Sequence, residues 1–246
     1  GRKNDRLHFE TQLRIAERLK YRGAAGQQPV ERFLGELHGR MEDVKRQHLL
    51  LVHELGLENR GRRRKPAPKA PVEGIEVVSW GMLGFTGPEA VIKRPELLIR
   101  IFEESALLKA PLSPEAKRLV GEFLHLVDAG YRCAPEIVRA FERILKTPDA
   151  DFSVLDDLHT TGFLEAFIPE FRSVSNRIQY DEYHLFPVDK HLLRTVQTIK
   201  QLAAEGGDAL FARVWRELKG KAVLTCAALL HAVGKGDTDE DHAVRG

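Results

Sequence analysis

The sequence predicts a mainly α-helical protein with at most one small β-hairpin, and three observations predict it. Apolar residues recur at helical spacing along most of the chain, and prolines stand near the first turns of the periodic segments. A single stretch, around Ile75 to Phe85, is β-branched and aromatic with glycine punctuation. The chain has 246 residues, 43% of them apolar, which suffices for one large domain or two small ones.

The first 60 residues read as two helices. Leu13, Ala16 and Leu19 share one helical stripe, "RGAAGQQP" breaks the pattern, and "PVERFLGELHGRMEDVKRQHLLLVHEL" resumes it for several turns. Residues 61–73 form a basic linker in which Arg62, Arg63, Arg64 and Lys65 run into Pro66, Pro68 and Pro71. No aromatic side chain interleaves those charges, so a solvated tether is expected there rather than a nucleic-acid site. The hairpin candidate "IEVVSWGMLGF" follows, and short helices fill the rest of residues 74–170, with Pro95, Pro114 and Pro135 near first turns. In "DFSVLDDLHTTGFLEAFIPEF" the broad stripe of Leu155, Leu158, Phe163, Leu164, Phe167 and Ile168 is expected in the core.

Composition narrows the function classes. A net charge of +2 gives no field that would recruit nucleic acid or a membrane surface. No apolar run approaches the roughly 20 residues that span a bilayer, and "GRKNDRLHFE" is not signal-like, so a cytoplasmic location without membrane attachment is expected. Cys133 and Cys226 are far apart, and Cys226 lies in the apolar run "AVLTCAALL", which argues against a disulfide framework or a thiolate metal site. The chain ends just after a polar cluster, "DEDHAVRG", with no helical pattern beyond it, and is expected to be a fragment of a longer protein.

Residues 171–246 concentrate the chemistry. "YDEYHLFPVDKHLLRTV" and, about forty residues later, "LTCAALLHAVGKGDTDEDHAVRG" are rich in histidines and acids. His191 opens one helix, His231 closes the apolar helix that carries Cys226, and Asp241 and His242 sit in the loop after Gly234 and Gly236. Imidazoles and carboxylates together suit divalent transition metals, and ligands from two helices and a loop can meet at the end of a bundle. His184, among Tyr180, Tyr183 and Phe186, reads as a packing residue. Lys235 can offset charge on a phosphate or stand solvated in its loop.

Taken together, "YDEYHLFPVDKHLLRT", "AALLHAVGKG" and "DHAVRG" resemble the HD hydrolase domain of the bifunctional uridylyltransferase/uridylyl-removing enzymes of PII nitrogen signalling. Upstream, "GRKNDRLHFETQLRIAERLKY" and "VERFLGELHGRMEDV" resemble the helical region that follows that family's transferase domain. "KRPELLIRIFEESALL" and "LHTTGFLEAFIPEFRSVSNRIQYD" resemble the connector into the HD domain. The resemblance implies a helical connector followed by the N-terminal part of an HD domain at 171–246. It also implies hydrolysis of uridylyl-tyrosine on the PII protein through water activated by a divalent metal, whether magnesium, manganese, zinc or iron. By the same resemblance His191 and His231 are metal ligands and His242 is a ligand or phosphate contact, while Lys235 and Asp241 are the candidate catalytic residues by their chemistry and place in the cluster.

Two departures from the family pattern bear on activity. The aspartate of the His-Asp pair is Ala232, and the family's last aspartate ligand is expected on a helix after Gly246. Alanine offers no lone pair, so metal binding and hydrolysis are expected to be impaired. Pro187 also replaces the usual threonine before Val188 and Asp189. Neither the glycine-serine motif nor the paired aspartates of the transferase are present, so uridylyl transfer is not expected of this chain. Two other readings stay open. One is a non-catalytic helical module that positions PII or the transferase, and the other is a relative of the tRNA nucleotidyltransferases.

Overall fold

A computed structural model describes residues 7–23, 26–55, 72–147, 153–180, 187–203 and 209–236. It is mainly α-helical, with one two-stranded antiparallel sheet among these residues. The basic linker lies outside the described residues except for Val72 and Glu73, as do His184, Asp241 and His242. No helix of the described residues is long and apolar enough to cross a membrane.

The chain divides into two compact units, neither continuous in sequence. The first takes the described residues up to Gln47, those of Glu170–Leu192 and those from Leu230 onward. Its helices are α1 (Phe9–Arg18) and the larger part of α2 (Pro29–Glu54), interrupted where the sequence predicts a break. One buried cluster in this unit is Ala16, Val30 and Phe33, with Leu7, Ile15, Tyr21, Leu34 and Tyr180 packed against it. Leu13 and Leu19, which share the helical spacing of Ala16, are 42% and 58% exposed. One short helix needs only a narrow contact line, and Ala16 supplies it.

Tyr180 packs as anticipated for this segment. Its ring stacks on Phe9 at 4.3 Å between centroids, its hydroxyl donates to the Phe9 carbonyl at 2.9 Å, and its backbone N–H donates to Glu31 at 2.9 Å.

The second unit holds the hairpin, β1 (Ile75–Val77) paired with β2 (Leu83–Phe85) in the register Ile75↔Phe85 and Val77↔Leu83. Its turn places Trp80 and Gly81 at φ 67° and 75°, conformations that glycine adopts freely and tryptophan does not. β2 also bonds to the following chain, Leu83 N–H to the Pro111 carbonyl at 2.9 Å and Ser113 N–H to the Leu83 carbonyl at 2.8 Å.

Around the hairpin stand α3 (Pro88–Lys93), α4 (Leu97–Leu108), α5 (Pro114–Glu122), α6 (Ala129–Cys133), α7 (Pro135–Lys146), α8 (Val154–Thr160) and α9 (Phe163–Phe167). Pro88, Pro114 and Pro135 open their helices, where a missing N–H costs nothing. Ser113, Asp128 and Ser153 cap α5, α6 and α8 by accepting first-turn N–H groups.

Central α4 buries Leu97, Leu98, Ile99, Ile101 and Phe102 completely and packs on α7 and α8. On α7 the buried residues Ile137, Ala140, Phe141, Ile144 and Leu145 follow the spacing of a single helix face. Leu155, Leu158, Phe163 and Leu164 are fully buried as expected, whereas Phe167 and Ile168 at the end of that stripe are half-buried.

Three further helices complete the described chain: α10 (Val188–Ala203), α11 (Ala209–Glu217) and α12 (Lys221–Leu230). Within the second unit the buried Lys200 of α10 donates to the Ile144 carbonyl at the C-terminal end of α7, at 3.1 Å. Cys133 and Cys226 are both free thiols. Burial pushes the Cys226 thiol up, away from the thiolate that metal binding needs.

Candidate metal centre

His191 is the fourth residue of α10, and its N–H makes an early helical bond, to the Pro187 carbonyl at 2.9 Å. His231 follows the last residue of α12, as the pattern of "AALLHAVGKG" predicts. Their Nε2 atoms lie 3.3 Å apart, with ring planes inclined at 72° and both residues exposed. Two imidazole nitrogens on one tetrahedral zinc, at Zn–N of about 2.0–2.1 Å, are roughly 3.3–3.4 Å apart. The pair therefore fits half of a tetrahedral ligand set.

The other half is not assembled among the described residues. No group of three or more His, Cys, Asp or Glu side chains gathers there in a way that could hold a metal ion. Ala232, next to His231, is 2% exposed and offers only a methyl, with no atom that could bind an ion. Asp241 and His242 lie outside the described residues, so their expected convergence on the pair has no structural counterpart here. Lys235, in a 3-10 turn at Val233–Gly236, donates to the Gln179 side-chain oxygen at 2.9 Å.

Several residues around this region were not singled out by sequence. Asp189, the second residue of α10, is fully buried and accepts the N–H groups of Asn176 at 2.8 Å and Lys190 at 2.7 Å. Asn176 has φ +56° and meets His38 Nδ1 through its side-chain oxygen at 3.2 Å. The signals were present but weak. Asparagine is among the few side chains that tolerate the left-handed region, and Gly35 and Gly39 stand four residues apart in a helix otherwise without glycine.

The family model described as GlnD PII-uridylyltransferase matches residues 1–52. A bifunctional uridylyltransferase/uridylyl-removing enzyme of Ruegeria pomeroyi is 32% identical over 260 aligned residues, covering 100% of this chain and 28% of that protein. The enzymes of the same name from Nitrobacter hamburgensis and a Bradyrhizobium species are each 30% identical, again over 100% of this chain and 28% of theirs. Along its whole length the chain is related to the bifunctional uridylyltransferase/uridylyl-removing enzymes. It spans 28% of the length of these relatives. No solved structure matches it. The match covers the segments that carry the resemblance and the stretches between them alike.

Proposed function

We propose that this chain is the segment of a uridylyltransferase/uridylyl-removing enzyme that joins the transferase to the hydrolase and begins the hydrolase. Residues 1–60 follow the transferase domain, 74–170 form the connector, and 171–246 start the HD domain. Its reaction class is hydrolysis of the phosphodiester that links a uridylyl group to a tyrosine of the PII protein, in the cytoplasm. The single observation that carries this reading is the approach of His191 and His231, 3.3 Å between Nε2 atoms from opposite ends of a 40-residue separation.

In this reading His191 and His231 hold a divalent metal, with His242 as a further ligand or phosphate contact. When bound, such a metal polarises water and offsets charge on the phosphoryl oxygens, so no nucleophilic side chain is required. Both histidines project from helix ends, which fixes their directions before any ligand arrives. Lys235, released from Gln179, brings a positive charge to the phosphodiester, and Asp241 accepts a proton. Ala232 withholds one oxygen ligand, which leaves the metal weakly held and hydrolysis slow or absent.

The test is release of UMP from uridylylated PII, comparing the chain with its Ala232→Asp form, each also lengthened through the next helix of its relatives. Hydrolysis is expected only where both the aspartate and the added helix are present. Release by none of the four forms would count against the hydrolase reading.

Ala232 also favours a second reading, a non-catalytic helical module that docks PII or positions the transferase. It is separated by a binding measurement, since such a module holds PII with equal affinity whether residue 232 is alanine or aspartate. The names of the relatives speak for uridylyl chemistry over the tRNA nucleotidyltransferase alternative.

A further inference from the structure

We propose that Asp189 and Asn176 are positioning residues for the histidine pair, and that α2 supports His191 through them. The inference rests on the reading of His191 and His231 as ligands. His191 stands three residues into α10, so the direction of its side chain follows from how the first turn of that helix is anchored.

Two bonds anchor that turn, and both run to one short segment. The Val188 N–H donates to the Arg177 carbonyl at 2.8 Å, and the Asn176 N–H donates to Asp189 Oδ2 at 2.8 Å. Asp189 Oδ1 meanwhile accepts the Lys190 N–H at 2.7 Å, one of the first-turn donors that have no partner within a helix. Asp189 is 0% exposed, so water cannot stand in for a missing bond.

Asn176 is in turn held by α2. Its left-handed backbone turns the carbonyl toward Gly35, where an added Cβ would stand 2.6 Å from that oxygen. One turn on, a Cβ at Gly39 would stand 3.6 Å from Asn176 Nδ2. Residues four apart share a helix face, and His38 beside them reaches the Asn176 side-chain oxygen. Gly35 lets the backbone of residue 176 sit directly on α2, while at Gly39 the Asn176 side chain keeps an ordinary contact distance. Contacts thus run from Gly35 to Asn176 and from Asn176 to Asp189, which stands two residues before His191 in the same helix, all inside one compact unit. They start on α2, most of which lies within the residues 1–52 that match the uridylyltransferase family model.

The test uses the whole 246-residue chain with zinc as the probe, and it reads two quantities separately. Proximity of the rings in metal-free protein is read from the nuclear Overhauser effect between the His191 and His231 imidazole protons, and zinc affinity is read by calorimetry. Asp189→Ala is expected to lose the ring contact and weaken zinc binding at least tenfold, within the roughly 10–100-fold typical when a group that orients a ligand is removed. Its helical circular dichroism should remain. Asp189→Asn keeps an oxygen for the Asn176 N–H and should restore most of both signals. An Asp189→Ala chain that keeps both the ring contact and wild-type zinc affinity overturns the proposal.

Should Asp189→Ala fail to fold, Gly35→Ala asks the same question, because alanine favours the helix while its methyl displaces the Asn176 carbonyl. Loss of the ring contact is expected, and an unmoved contact in the folded variant overturns the proposal. If no form binds zinc yet either variant loses the contact, the positioning role stands and the metal reading falls instead.

Discussion

The imidazole of His231 meets that of His191 edge to face, with 5.3 Å between ring centroids, although 40 residues of chain separate them. A divalent ion held between them depends on both at once. His191→Ala and His231→Ala are each expected to lower zinc or manganese affinity at least tenfold, and the double variant should be no worse than the weaker single one. Calorimetric titration of the four forms checks this, and independent, additive losses would separate the two residues.

Ala232→Asp puts a carboxylate at a position that is only 2% exposed. Without metal the substitution is expected to destabilise by about 1–3 kcal/mol, the cost of a buried polar group lacking a partner. Saturating zinc or manganese should recover that loss, because a ligand that binds only the folded state stabilises it. Thermal unfolding of both forms with and without metal measures the difference. Equal metal-induced shifts would show that position 232 does not face the ion.

Lys117 donates to Asp157 at 2.5 Å, with 13% of the Asp157 side chain exposed. Burial pushes the Asp157 carboxyl above its ordinary range, and Lys117 opposes that rise. A carboxyl raised in the folded state contributes most stability at pH below its unfolded value and loses it as pH climbs through the raised value. Lys117→Met removes the opposing charge and raises Asp157 further. The substitution should therefore cost more at pH 7, about 1–3 kcal/mol, than at pH 3.5. Urea unfolding at the two pH values decides it, and an equal cost at both would refute the coupling.

Glu103 is 2% exposed and pairs with Arg100 at 2.5 Å and with Arg143 of α7, so one carboxylate fastens α4 to α7. Glu103→Ala should cost about 2–3 kcal/mol, less than the roughly 3–5 of a fully buried pair because both guanidinium groups can regain water. Urea denaturation measures this, and Glu103→Gln should recover part of the loss through its remaining hydrogen bonds.

The sequence by itself determined the helices, the hairpin at Ile75–Phe85 and the kinship, because these depend on local period and short motifs. An amphipathic stripe such as Ile137, Ala140, Phe141, Ile144 and Leu145 has one compatible secondary structure and one face to bury. "HLLRT" and "LLHAVGKG" likewise named both members of the histidine pair. What tertiary structure alone decided is which distant segments share a surface. Leu13 and Leu19 obey the same period as Ala16, yet stand exposed, because burial depends on what packs opposite and period does not encode that. Nothing local about Asn176 tells that its N–H reaches Asp189 or that Gly35 makes room for its carbonyl. Such contacts join residues 13 and 141 positions apart in sequence, and the chain's covalent order carries no distance information at that range until the core has formed.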